Sequence, residues 1–215
     1  MKTPEAPNRR AVKIGGSLGG NGRLSMVARA VEQAAVTAEL VVIPGGGVYA
    51  DFIRGNGGGE KVAHVQAVLS MAQYGFELVS LIGGAVAVHD KTQTQQAWTG
   101  KKIPVFIPYP YILDAHEIPE TWEATSDTIS LHITRALGLA NLVLVKSVDG
   151  VMGANGSLMD EVDAGAPVNT GVVDPLFFDG VEKGVTVFIV NGLHPERLKA
   201  ALAGRGTVGT KVTRP

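Results

Sequence analysis

Cysteine is absent from the 215 residues. Disulfide frameworks, thiolate zinc sites and cysteine nucleophiles are excluded with it. An excess of one charge sign is absent too: 19 basic side chains face 20 acidic ones, for a formal net charge of −1. No basic run or stripe occurs, which argues against a nucleic-acid partner. The most apolar stretches, at residues 40–43 and 141–145, are far too short to cross a bilayer, so no membrane partner is expected. Residues 1–10 are polar, carry Pro4 and Pro7, and lack the apolar centre of a signal peptide. They are expected to form a flexible N-terminal segment, followed by a single domain over residues 11–215. A cytoplasmic protein is the expectation. No internal repeat and no metal-cage spacing of His, Asp and Glu is found.

What is present is a large apolar share, 45% against 18% charged, enough for a sizeable core. There are also 28 glycines, and they cluster, which suits backbone placed against a ligand. Short apolar runs alternate with longer helix-forming stretches. Residues 11–14, 40–43, 103–107, 142–145 and 185–190 read as strands. Residues 23–38, 48–54, 64–82, 126–137 and 195–203 read as helices. This alternation predicts an α/β fold with a mainly parallel sheet covered on both faces. Two stretches break the rhythm. The Asp149-Gly150 and Asn155-Gly156 pairs predict a small hairpin within residues 147–162. The prolines between Pro104 and Pro119 predict an irregular connection.

Two glycine loops follow buried strands. Lys13-Ile14-Gly15-Gly16-Ser17 lets backbone N–H groups approach an anion, with Lys13 beside them to neutralise charge. It has neither P-loop nor dinucleotide spacing. Pro44-Gly45-Gly46-Gly47 is the second loop, and in an open sheet both loops can face one crevice at the strands' carboxyl ends. Thr125-Ser126-Asp127 opens a helix. Either Asp127 is an ordinary N-terminal residue or it orients lysines around a phosphate. In the first case Asp127→Asn changes little. In the second, turnover falls while stability stays within about 1 kcal/mol. Lys146, before Ser147-Val148-Asp149-Gly150-Val151, places a second cation at a strand end. Alone, the first loop can be a plain strand and turn with a surface lysine, the second a helix start with generous turns and the third piece an ordinary N-cap, but all of them in this order are much less common.

In that order the four pieces resemble the amino acid kinase family, over nearly the whole chain after residue 10. The resemblance implies an open three-layer αβα sandwich and ATP-dependent transfer of the γ-phosphoryl group to a phosphate or carboxylate oxygen. It implies Lys13, Asp127 and Lys146 as catalytic residues. Gly15, Gly16, Ser17, Lys146, Ser147, Val148, Asp149 and Gly150 would hold the nucleotide. Gly45, Gly46, Gly47, Gln73, Tyr74, Trp122, Thr125 and Ser126 would line the acceptor side. Mg²⁺ would arrive with ATP, with no metal site of the protein's own. A small phosphorylated substrate and a homo-oligomer are expected.

The chain length, Met71-Ala72-Gln73-Tyr74-Gly75, Trp122, and Val190-Asn191-Gly192 ahead of His194-Pro195-Glu196-Arg197 are similar to a small branch of the family. Its members phosphorylate an aminomethyl-furanmethanol phosphate in methanofuran-type cofactor synthesis. The histidine that isopentenyl phosphate kinases place soon after the second glycine loop is missing. The loop continues Val48-Tyr49-Ala50-Asp51, and the next histidine is His64. Kinases of the same fold acting on isopentenyl phosphate, UMP or an acyl carboxylate remain open, as does a non-catalytic nucleotide- or oxyanion-binding or storage protein.

Overall fold

A computed structural model describes residues 8–19, 22–166 and 171–215. Most of the lead-in expected at 1–10 lies outside the described residues, and strand β1 already begins at Arg9. Among the described residues, eight strands form one sheet in the order β3-β4-β2-β1-β5-β7-β8-β6. They are β1 (Arg9–Ile14), β2 (Glu39–Pro44), β3 (Ala85–Val88), β4 (Ile103–Phe106), β5 (Asn141–Lys146), β6 (Glu161–Asp163), β7 (Thr186–Asn191) and β8 (Thr210–Thr213). All neighbouring pairs are parallel except β7 with β8. The α-helices among the described residues are α1 (Arg23–Ala34), α2 (Gly47–Asn56), α3 (Glu60–Leu81), α4 (Lys91–Thr99), α5 (Tyr111–Ala115), α6 (Ser126–Ala136), α7 (Phe177–Gly180) and α8 (Pro195–Leu202).

The central strands are apolar on both faces because helices cover both. Val12, Val42 and Val143 join the core with α1 and α8. Ala11, Val41, Leu142 and Leu144 join the core with α6 and α7. The two-residue period of a strand then fixes where its polar residues point. Lys13 shares the face of Ala11, and Lys146 that of Leu144, so both lysines lean towards α6.

Register brings the two glycine loops together. Ile14 pairs with Pro44 on one side and with Val145 on the other. Gly15, Gly45 and Lys146 therefore leave adjacent parallel strands at the same edge. The chain moves from β1 to β2 on one flank and returns to β5 on the other. Such a reversal opens a crevice at the carboxyl ends.

The expected hairpin is small. Met152 and Leu158 form one antiparallel bridge, and the chain then departs into edge strand β6. The stretch read as irregular holds α5, and α3 starts at Glu60 rather than 64. Strand β3 and helix α4 carry no strong sequence signal. Ala85–Val88 is only four residues long, and α4 is polar, capped by Asp90 accepting from the Gln93 N–H at 2.7 Å.

Candidate active site

Asp127 ties the crevice together. Its Oδ1 accepts from Lys13 Nζ at 2.7 Å and its Oδ2 from Lys146 Nζ at 2.5 Å. Lys13 and Asp127 are buried, at 3% and 4% exposure. Burial alone would raise the Asp127 carboxyl, but the two ammonium groups and their hydrogen bonds outweigh it and hold the group below its usual range. Burial lowers Lys146, the Lys13 charge adds to this, and Asp127 offsets only part, leaving the ammonium at about 8. Two cations thus sit at the ends of adjacent strands with one carboxylate between them. With one carboxylate for two ammonium groups, the cluster can offset the charge of an anionic ligand.

Asp127 has this freedom because it does not cap α6. Asp174 does so from 49 residues beyond Thr125. One oxygen, Oδ2, accepts from the Thr125 N–H and hydroxyl and from the Thr128 N–H, at 3.0, 2.9 and 3.0 Å. Its Oδ1 accepts from the Thr128 hydroxyl. The Thr125 and Thr128 N–H groups at the start of α6 are satisfied by this distant residue, and the Asp127 side chain is left to face the lysines. No local pattern in the sequence points to Asp174.

The glycine loops touch. A Cβ on Gly16 would lie 2.6 Å from the Gly47 nitrogen, and one on Gly47, where φ is +57, would lie 2.9 Å from the Tyr74 ring. Both positions need glycine for close approach and backbone conformation. The loop donors divide into two sets. Gly15 N–H bonds the Val145 carbonyl at 3.0 Å, and Gly45 N–H bonds that of Ile14 at 2.9 Å. These two continue the sheet ladder and are not available to phosphate, which corrects the role expected of them. The N–H groups of Gly16, Ser17, Gly46 and Gly47 have no acceptor among the described residues. They stand at the starts of a short 3₁₀ turn, Gly16–Leu18, and of α2.

Tyr74 is placed differently from the sequence expectation. It is 2% exposed, and its hydroxyl donates to the Gly15 carbonyl at 3.3 Å. It supports the two loops from beneath instead of reaching an acceptor. Gln73 is exposed on α3, outside the cavity described next. On the nucleotide side, the Ser147 hydroxyl donates to that of Ser17 at 3.1 Å, bridging the β5 end to the first loop. Val148 is exposed. Asp149 accepts from Asn191 at 2.8 Å and from Arg197 at 3.0 Å, so its carboxylate fastens β5 to α8. Gly150 is buried, and a Cβ there would meet Thr210 and Leu158. Packing leaves no room for a side chain there.

A cavity of about 210 Å³ opens between the loops, α2, α3 and α6. Gly46, Gly47, Trp122, Thr125 and Ser126 line it as the sequence suggested. His64, Asp51 and Arg54 line it too, and these were missed. A signal existed: Gly47, Ala50, Asp51 and Arg54 fall at i, i+3, i+4 and i+7, one face of a helix. The Arg54 guanidinium lies 5.1 Å from the Trp122 ring centroid and bonds Asp51 at 2.8 Å. Among the described residues no group of three or more metal-ligating side chains is gathered, and no helix is long and apolar enough to cross a membrane.

Comparison with known proteins agrees with this geometry. Over 94% of its length the chain is 27% identical to the [5-(aminomethyl)furan-3-yl]methyl phosphate kinase of Methanocaldococcus jannaschii, covering 96% of that protein. The fold matches the crystal structure of UMP kinase from Ureaplasma parvum with a TM-score of 0.76, at 14% identity, over 96% of this chain and 100% of the other. It matches UMP kinase from Bacillus anthracis with a TM-score of 0.73, at 15% identity and 96% of both chains. The three-layer αβα architecture is therefore shared with the UMP kinases. The sequence pattern of the amino acid kinase family matches residues 8–191, taking in both glycine loops, Asp127 and Lys146, and the chain belongs to that family.

Proposed function

We propose that this chain is an ATP-dependent kinase that moves the γ-phosphoryl group onto a phosphate oxygen of a small acceptor. We take the acceptor to be an aminomethylfuran-methyl phosphate used in methanofuran-type cofactor synthesis. The observation that carries the kinase reading is the single buried carboxylate shared by Lys13 and Lys146. A storage or carrier protein has no need of such a cation pair at one strand edge. The 27% identity over nearly the full length of both chains supports the acceptor.

The mechanism follows from charge. A phosphate acceptor already carries a nucleophilic oxyanion, so no strong general base is needed. As its oxygen bonds to the γ-phosphorus, the bond to the β-phosphate oxygen breaks and ADP leaves. Lys13 and Lys146 offset the charge on the transferring and leaving oxygens, and Asp127 holds both ammonium groups in register. The N–H groups of Gly16 and Ser17 face the donor phosphates, and those of Gly46 and Gly47 the acceptor phosphate. Ser147 and Val148 border the nucleotide. Asp127 and Asp174 are committed to protein donors, which fits Mg²⁺ arriving on the ATP phosphates, where it adds positive charge. Catalysis takes place in the cytoplasm, where ATP is supplied.

A homo-oligomer is part of the same proposal. Val62, Leu69 and Phe76 are exposed on α3 at seven-residue spacing. They form one apolar seam, of the kind that a second copy of the helix covers across a two-fold axis.

The test is ADP release measured with the phosphorylated aminomethylfuran, isopentenyl phosphate, UMP and N-acetylglutamate in parallel. Turnover with the furan compound at least ten times that with the others is expected. Equal or greater turnover with another acceptor replaces the acceptor assignment, and no ADP release with any of them removes the kinase reading.

A further inference from the structure

The cavity's wall has one carboxylate among the described residues, and it is Asp51. It sits four residues along α2 from Gly47, about 6 Å further along the helix axis than the glycine loop. Val68, Met71, Ile129 and the Trp122 ring make an apolar part of the same lining, and His64 and Arg54 are its basic side chains. The cavity therefore brings together glycine-loop backbone, an aromatic and aliphatic lining, and a single carboxylate paired with Arg54.

Asp51 already holds a cation, its neighbour Arg54, at 2.8 Å. Their side chains are 72% and 57% exposed, and an exposed ion pair of this kind is weakly held. Arg54 has a second place to rest, since its guanidinium lies over the Trp122 ring at 5.1 Å. A cation entering the cavity can take the Asp51 carboxylate while Arg54 keeps its stacking contact.

We propose that Asp51 is a specificity residue that recognises an ammonium group at the end of the acceptor distant from its phosphate, with Arg54 holding that position in the structure. This rests on the acceptor class proposed above. That acceptor has an aromatic ring between a phosphomethyl and an aminomethyl group, and a primary amine of this kind is protonated at neutral pH. Phosphate against the Gly46–Gly47 backbone, furan beside Trp122 and ammonium on Asp51 match the three kinds of group that line the cavity. A phosphorylated acceptor without the amine leaves Asp51 unmatched. The residue thus selects against uncharged analogues as well as for the amine.

The experiment compares kcat/KM for the aminomethylfuran phosphate with that for its hydroxymethyl analogue, in the wild type and in Asp51→Asn and Asp51→Glu. With the Asp51 side chain largely exposed, an ion pair here corresponds to a preference of about two- to five-fold for the amine. In Asp51→Asn the ratio is expected to fall towards one, mainly through KM of the amine, while Asp51→Glu keeps most of it. A fold-level role for Asp51 would lower both substrates together and leave the ratio unchanged. Wild-type turnover of the amine with an unchanged ratio in Asp51→Asn overturns this inference and leaves the kinase assignment standing. A wild type inactive on the amine overturns the acceptor assignment and the inference with it.

Discussion

Lys146 and Asp127 meet at 2.5 Å, one from the last residue of β5 and the other from the first turn of α6. The ammonium nonetheless remains at about 8, because burial and Lys13 together outweigh the help of that carboxylate. The lysine that the proposed mechanism needs charged thus loses its proton only about one unit above neutral pH.

This gives a signed pH dependence. Lys146 offsets phosphate charge only when protonated, so kcat/KM should be full below about pH 8 and fall as pH rises through it. Lys146→Arg keeps its proton at any working pH. Its alkaline limb should move up by a unit or more, even if its maximum is lower. The measurement is kcat/KM against pH for both proteins, and coincident alkaline limbs would detach the limb from Lys146.

Asp127→Asn separates the orienting role from the capping role. Because Asp174 performs the capping, asparagine at 127 has no cap to preserve. We expect kcat to fall by about 10- to 1000-fold. Stability should fall by about 3 kcal/mol near pH 7, since two buried ammonium groups lose their counter-charge. This is more than the sequence suggested, because the sequence did not show that Lys13 and Asp127 are both inaccessible. The loss should shrink as pH rises and Lys146 gives up its proton. Parallel kcat values and denaturation midpoints at pH 7 and 9 check it.

Lys13→Ala should lower kcat about 100-fold or more with a modest change in KM for ATP. Lys13→Met retains the buried stem and should lose as much turnover at a smaller cost in stability. Near-normal turnover in Lys13→Met would mean that the ammonium is not used.

Tyr74→Phe tests the supporting role assigned to that ring. It removes one hydrogen bond to Gly15, worth about 0.5–1.5 kcal/mol, and should leave KM for the acceptor within about two-fold. Tyr74→Ala opens space beneath both loops and should cost about 3–5 kcal/mol. A large rise in acceptor KM for the phenylalanine variant would put the hydroxyl back in the acceptor site.

Gly47→Ala forces a side chain into φ +57 and to within 2.9 Å of the Tyr74 ring. A cost of at least 1–3 kcal/mol is expected, together with a fall in kcat/KM as the two loops separate. A thermal melt and steady-state kinetics read both. A neutral outcome would show that the loops do not need this contact.

The sequence by itself determined the parallel core strands, the two glycine loops at their ends, and the order of Lys13, Asp127 and Lys146. These are local signals. A β-branched run reads as a strand and a glycine cluster as a close approach of backbone, whatever the rest of the chain does. It did not determine which loop donors remain available, because Gly15 and Gly45 are taken up by carbonyls that only strand register brings near. It did not give Asp174, which reaches the start of α6 from far along the chain, nor the support role of Tyr74, which depends on α3 crossing beneath both loops. Side-chain identity sets what a residue can do chemically. Whether its hydrogen-bonding and charge capacity is free for a ligand depends on neighbours that only the tertiary structure supplies.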